Sequence, residues 1–526
     1  MRLKLKQAFA LLLCVIFVIL AACAAPSAPA ETGPAVSESS APAGSPSVEE
    51  PGVQQIGLPA HTKQPDKLKY VFLFIGDGMG FAQVNAAQVF KASMSGKGPA
   101  IGTLSFTTFP VMGAATTFDE TSVCPDSASS GTSIACGIKT KSGVIGMTGD
   151  KASSPESIAE MLKKSGKKIG VLSTVSLNNA TPAAFYAHVT SRGDGYDIAV
   201  QLAKSGMDYF GGGSLVEPAG SSGDEPNAFA MLEQNGYTVA DTKEEIAALQ
   251  GGDTRAYAVS PALLQDKASM LFALDANEGD LTLADFVRKG IDVLDNDNGF
   301  FMVCESGMID WACHANDAAA AIQETLVLED AVSAAVDFAM QHPDETLIVV
   351  TADHETGGMA IGNASTGYNT NFSLLSGQTV SYSAFSRMFN EMKKADPELL
   401  MSDMMPKIKE CFGLIAPDDK DAALKENAAR VLTAEEYKKL TRALEASLNG
   451  DTDSAEAKLE YGGYEPLTIT LTHILNSKAG IGWTSYAHTG GLVPVYAFGV
   501  GADAFGGCYD NTDIFKKLVN VCGLSG

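Results

Sequence analysis

Short runs of continuous apolar residues alternate along most of the chain with longer stretches of helical period. Residues 70–75 (YVFLFI) form the first such run, and others of the same kind follow at 169–174, 300–304, 346–351 and 494–499. Helical patterns lie between them at 155–164, 283–294 and 318–340. A strand covered on both faces has no reason to alternate polar with apolar positions, so these runs predict buried strands of a largely parallel sheet. The expected fold is α/β: a three-layer α/β/α sandwich around a central, mostly parallel mixed sheet. Ligands of such folds gather at the carboxyl ends of strands. Several polar motifs here begin where an apolar run stops.

Two stretches break the pattern. Residues 362–470 carry Lys/Glu-rich helical segments, 422–446 among them, and no central strand, which predicts an insertion or cap. Residues 24–66 are dominated by Ala, Pro, Ser, Gly and Glu and cannot bury enough apolar area to fold, so they are expected to be a flexible tether. Ahead of them, Arg2, Lys4 and Lys6 precede an apolar stretch at 11–20, and Leu20-Ala21-Ala22-Cys23 resembles a bacterial lipobox. Residues 1–23 are therefore expected to be a lipoprotein signal, with Cys23 lipidated and the protein held extracytoplasmically on the bacterial membrane. The catalytic domain is expected over 67–526.

The 526 residues carry 37 Lys and Arg against 62 Asp and Glu, a formal net charge of −25. That excess argues against nucleic acid or an anionic membrane surface as a partner. It also means that an anionic substrate must find positive potential built locally, from metals, arginine or helix N-termini. Outside 1–23 there are seven cysteines, an odd number with no CxxC pair, and no bridge is assigned.

Candidate chemistry sits in four places. Asp77 follows the first strand among Gly76, Gly78 and Gly80; by itself it is equally a strand-to-helix turn with a capping Asp. Glu305 closes the 300–304 run, and if a helix begins near Asp310, its spacing from His314 puts both on one face, as metal ligands require. An ordinary Asp/His surface pair has the same spacing. Asp353 and His354 end the 346–351 run, and they face one ion only if the chain bends, as Gly357 and Gly358 suggest. Ser127, in PDSAS, is placed to open a helix whose N–H groups favour an anion, although a serine there can be a plain cap. No Gly-x-Ser-x-Gly elbow with histidine partners accompanies it, so as a nucleophile it needs a metal. His314, His354 and His488 are the histidines in Gly-rich or acid-containing segments; His61 lies in the tether, His342 and His473 look structural, and His188 reads as a core or supporting residue.

Taken in order, IGDGMG (75–80), PDSAS (125–129), NATPAAFYAHVTSR (179–192), ESGMIDWACH (305–314), TADHETGG (351–358) and AHTGG (487–491) resemble the alkaline phosphatase family. The likeness implies hydrolysis of phosphate monoesters through a phosphoserine on Ser127, with two Zn²⁺ and one Mg²⁺ per chain. By that resemblance, Asp310, His314 and His488 hold the first zinc and Asp77, Asp353 and His354 the second. Asp77, Thr181 and Glu305 take magnesium, Arg192 grips the phosphoryl group, and a homodimer is common. Asn179 and Trp311 depart from the family's usual residues, Asp or His and Lys or His respectively, which bears on the outer contacts of magnesium and phosphate. Two alternatives stay open. One is a phosphodiesterase or sulfatase of the same superfamily, although Cys124-Pro125-Asp126 lacks the sulfatase Cys-x-Pro-x-Arg pattern and diesterases generally use threonine. The other is a non-catalytic surface binding lipoprotein.

Overall fold

The computed structural model describes residues 68–96, 100–252 and 255–524; the signal, lipobox and tether expectations lie outside the described residues. Among the described residues, fourteen strands occur in chain order: β1 (Tyr70–Gly76), β2 (Val111–Thr116), β3 (Lys168–Ser173), β4 (Tyr209–Gly212), β5 (Tyr237–Ala240), β6 (Arg255–Val259), β7 (Phe300–Ser306), β8 (Thr346–Thr351), β9 (Glu355–Thr356), β10 (Ala360–Ile361), β11 (Ile481–Gly482), β12 (His488–Thr489), β13 (Val493–Gly499) and β14 (Gly507–Asp510). Ten of them form one sheet in the order β14-β2-β13-β8-β1-β7-β3-β4-β6-β5. All its pairings are parallel except those of β13 with β2 and β8. Helices cover both sides, as expected of a three-layer sandwich.

The continuous apolar runs explain the centre. β1, β7 and β8 are buried at every position, with Phe72, Phe74, Phe300 and Phe301 fully enclosed. Phe72 and Phe300 meet edge to face with centroids 5.2 Å apart, a favoured geometry for aromatic quadrupoles. β1 lies between β7 and β8 with Ile75 level with Glu305 and Thr351, so these three strands deliver their carboxyl ends to one place.

The helices include α1 (Ser127–Cys136), α2 (Leu283–Leu294), α3 (Met308–His314), α4 (Ala318–Gln341), α5 (Tyr382–Ala395), α6 (Ala434–Asn449) and α7 (Pro466–Ala479). The predicted helix at 155–164 starts only at Ile158, because Ser157 and Glu160 form a capping box that fixes its first turn. The 422–446 helix is corrected more heavily. Its first part is two 3₁₀ turns, Lys420–Ala423 and Lys425–Asn427, and α6 begins after the Thr433/Glu436 capping box. Among the described residues, 362–470 contribute no strand to the large sheet. None of the seven cysteines outside 1–23 is in a disulfide.

Candidate active site

Each chemical group is placed by the end of an apolar element. β1 stops at Gly76 and the chain turns through Asp77 and Gly78, whose φ of 73° is left-handed. A Cβ on Gly78 would come within 2.9 Å of Thr356 Oγ1 and 3.0 Å of Asp310 Cα, so glycine is required for the β1 and β7 ends to approach. β7 runs into α3, which carries Asp310 and His314 on one face, His314 Nε2 3.3 Å from Asp310 Oδ2. β8 stops at Thr351, so Asp353 and His354 lie past the regular strand in the bend that Gly357 and Gly358, both of positive φ, complete. β9 then pairs with β12, setting His488 opposite Thr356.

Together these turns assemble three imidazoles and four buried carboxylates. His314 Nε2 lies 3.0 Å from His488 Nε2, and His488 Nε2 is 3.6 Å from Asp310 Oδ1. His354 Nε2 lies 3.4 Å from Asp77 Oδ1 and 3.3 Å from Asp353 Oδ2, and its ring stacks on His488 at 3.6 Å. Two overlapping sets, Asp310/His354/His488 and Asp77/Asp353/His354, each keep their ligand atoms within 4.8 Å of one another. Glu305 stands behind them, accepting a short hydrogen bond from Ser173, and Thr181 bridges Glu305 and Asp353, its Oγ1 3.5 Å from Asp353 Oδ2.

The hydrogen bonds fix the tautomers. His314 Nδ1 faces the Tyr486 carbonyl at 2.6 Å and His488 Nδ1 the Pro125 carbonyl at 2.7 Å. A carbonyl oxygen only accepts, so both Nδ1 atoms carry hydrogen and both neutral rings turn bare Nε2 lone pairs toward each other. Thr356 gives its one proton to Asp310 Oδ1 (2.5 Å), so it accepts from His354 Nδ1 (3.2 Å), and the His354 Nε2 lone pair faces carboxylate oxygens. Asp77 Oδ1 accepts no hydrogen bond. Among the described residues, no lysine or arginine ion-pairs with Asp77, Glu305, Asp310 or Asp353; the three aspartates face the histidines, and Glu305 is met by the Ser173 and Thr181 hydroxyls. Buried anions and facing lone pairs without a cation are costly. The donor set therefore suits metal ions of imidazole and carboxylate preference, oriented by their outer hydrogen bonds.

The acidities tell the same story. Burial first, then Asp353, Asp310 and Glu305, push Asp77 well above the ordinary carboxylate value. Burial, aided by Asp353 and outweighing the Ser173 bond, pushes Glu305 up to about 8, and burial and Asp310 push Asp353 up to about 6. Burial acts on Asp310 as well, but His314, His488 and His354 overcome it and hold that carboxyl low. Burial, followed by His488, holds His354 far below the ordinary imidazole value. Burial would depress His314 too; Asp310 reverses that and raises it to about 8, so below that pH a proton occupies the His314 Nε2 lone pair when no metal does.

Ser127 is the first residue of α1, capped by the Asp126 side chain on Ser129 N, and its Oγ lies 3.1 Å from His354 Nε2. Arg192 is exposed, with Nη1 3.2 Å from Asp126 Oδ2 and Nη2 3.3 Å from Asn179 Oδ1. Asn179 also caps the short Ala180–Ala183 turn through Ala180 N. Its contacts are thus with Arg192 and a helix end. A cavity of about 320 Å³ is lined by Ser127, Arg192, Asp310, His314 and His488 together with three aromatic residues, Trp311, Tyr382 and Tyr464. Larger grooves of about 570 and 600 Å³ lie along α7 and contain none of the predicted site residues, so size alone does not locate the chemistry.

All ten sequence-predicted residues converge on this one end of the sheet. His188 stands apart, bonded to Gly146 O and Glu160, as a supporting residue. Sequence reasoning missed Thr356, Ser173, Asp126 and the two tyrosines. Thr356 and Asp126 lay inside motifs already singled out; nothing local pointed to Tyr382 or Tyr464.

The family model described as Alkaline phosphatase matches residues 68–524. Alkaline phosphatase 4 of Bacillus subtilis is 30% identical over 484 residues, covering 87% of this chain and 91% of its own length. The crystal structure of a cold-active alkaline phosphatase from the psychrophile Shewanella sp. superposes with a TM-score of 0.69 at 26% identity, over 86% of this chain and 99% of that one. A mutant alkaline phosphatase of the Antarctic bacterium TAB5, with Mg bound in its M3 site, superposes with a TM-score of 0.58 at 25% identity, over 87% and 100% of the two chains. The chain belongs to the alkaline phosphatase family and is an enzyme of phosphate monoester hydrolysis.

Proposed function

We propose that this enzyme works through a phosphoserine on Ser127, with two zinc ions and one magnesium ion per chain. The observation that carries the reading is Ser127 Oγ at a helix N-terminus, 3.1 Å from a histidine of a buried donor cluster that lacks a compensating cation. Asp310, His314 and His488 would hold one zinc, Asp77, Asp353 and His354 the other, and Asp77, Thr181 and Glu305 the magnesium. The Mg bound by the TAB5 relative supports the third ion. When bound, such ions supply Lewis-acid stabilisation for the oxygen charges that develop during phosphoryl transfer.

The chain's own groups do the rest. Arg192 presents a planar pair of donors that matches two non-bridging oxygens of the phosphoryl group, and Asp126 and Asn179 hold the guanidinium in place before substrate arrives. The first N–H groups of α1 add positive potential that the protein's overall charge does not supply. Ser127 Oγ, on losing its proton, forms a bond to phosphorus as the ester P–O bond breaks and the alcohol departs. Water then displaces the Ser127 oxygen, releasing inorganic phosphate and restoring the serine.

We also propose lipid anchoring through Cys23 and extracytoplasmic action, on the strength of the Leu20–Cys23 pattern. Cys23→Ala would then release the enzyme from the membrane fraction; retention of that variant contradicts the anchor. Catalysis is tested by p-nitrophenyl phosphate hydrolysis at alkaline pH, wild type beside Ser127→Ala, with zinc and magnesium supplied or chelated. Activity that is lost on chelation, restored by metal and absent from the variant is expected. A folded, metal-loaded wild type without activity overturns the proposal.

A further inference from the structure

The 320 Å³ cavity has a wall that the reaction itself does not use. Trp311 follows Asp310 on α3, Tyr382 opens α5, and Tyr464 lies just before α7. Tyr382 and Tyr464 meet edge to face with centroids 5.7 Å apart, and Tyr382 is backed by Phe272 at 5.6 Å. All three residues are half-buried rather than sealed in the core. Among the described residues, none of the two hydroxyls and the indole N–H has a hydrogen-bond partner, although buried tyrosine and tryptophan tips usually find one. Apart from the reacting groups and these three polar tips, the lining offers no amide, extra carboxylate or hydroxyl of Ser or Thr, so its remaining surface is aromatic.

We propose that Trp311, Tyr382 and Tyr464 form a specificity wall that favours monoesters whose leaving group is a small aromatic ring. This rests on the phosphatase reading and names its substrate class. Aromatic rings gain from edge and face contacts with such a wall beyond the area they bury, whereas an aliphatic alcohol gains area alone. The volume lies at the small end of the range for ligand sites, about 300–1,000 Å³, which suits a phosphoryl group with one ring. The net charge of −25 further disfavours polyanionic esters.

The test compares kcat/KM for phenyl phosphate and glycerol phosphate in the full-length, metal-loaded enzyme, as wild type, Tyr464→Leu and Tyr464→Phe. The expected result is an aryl-to-alkyl preference that falls about tenfold in the leucine variant, the worth of one aromatic contact, and changes by less than about twofold in the phenylalanine variant. An equal loss on both esters overturns the wall, as does a phenylalanine variant that falls as far as the leucine one. A second measurement needs no variant: phenylphosphonate should inhibit wild type about tenfold more tightly than methylphosphonate, and equal inhibition counts against the proposal. Absence of wild-type turnover of either ester would instead overturn the phosphatase reading beneath it.

Discussion

Asp77, Asp310, Asp353 and His354 all lie within four residues of the end of β1, β7 or β8, whereas Tyr382 and Tyr464 come from the helical stretch between β10 and β11, where no strand of the large sheet fixes position. The first region is held by backbone ladders on both sides and by histidines anchored to carbonyls; the second is held by packing such as the contact of Tyr382 with Phe272. Both regions line one cavity. The difference fits the proposed division of labour, in which the strand ends would carry the chemistry that any monoester needs and the helices between β10 and β11 would set which alcohol is accepted. Loops on a rigid sheet are the usual place for such variation.

Perturbing the strand-end side should cost most. Ser127→Ala removes the attacking oxygen and should lower kcat by about 10³-fold or more, measured with a phenyl ester at saturating metal. Residual turnover near wild type would break the comparison at its root. Arg192→Ala removes a two-pronged charged contact and should lower kcat/KM by roughly 100-fold, from about 1.5–3 kcal/mol per charged hydrogen bond shared between ground and transition states.

Thr356→Val leaves every proposed ligand in place but deletes the hydroxyl that orients Asp310 and His354. Zinc affinity, read by chelator competition, should weaken by about 10–100-fold. An unchanged affinity would mean that the cluster is not held by its outer bonds.

The smallest effect lies away from the site, at His188 and Glu160. The Glu160 bond raises the His188 imidazole, opposed by burial; burial would raise the Glu160 carboxyl, but the His188 bond lowers it below its ordinary 4.5. A raised histidine contributes stability below its ordinary 6.5 that is lost as pH rises through the folded value. A lowered carboxyl contributes stability above 4.5 that is lost as pH falls through its folded value. Both contributions are present together between about pH 4.5 and 6.5. His188→Gln should therefore lower the unfolding free energy, read by denaturant titration, most in that window, by about 1 kcal/mol or less because the pair is partly exposed. A stability difference that does not vary with pH would exclude the ion pair.

The same contrast explains what could be read from the chain alone. β1, β7 and β8 were legible because a strand buried on both faces must be apolar throughout, and Asp77, Glu305 and Asp353 were legible because they interrupt that rule at its end. Ser127 showed itself as a helix-opening serine after a capping Asp126, but its nucleophilic role came from the resemblance, as did those of Arg192 and Thr181, whose surroundings carry no periodic signal. The carbonyls of Pro125 and Tyr486, which fix the His488 and His314 tautomers, are backbone atoms that no residue type advertises. The helix misplaced over 422–446 failed because Lys/Glu composition favours helix without saying where the first turn starts; Thr433 and Glu436 decide that. Tyr382 and Tyr464 reach the cavity only through tertiary packing, and no spacing along the chain predicts it.

The central claim is a covalent phosphate on Ser127, and the most direct measurement is mass spectrometry of peptides from metal-loaded enzyme quenched in acid during turnover of phenyl phosphate. The account predicts phosphate on the peptide containing Ser127, absent in Ser127→Ala. Steady hydrolysis with no phosphorylated peptide, or with phosphate on a residue other than Ser127, would contradict it.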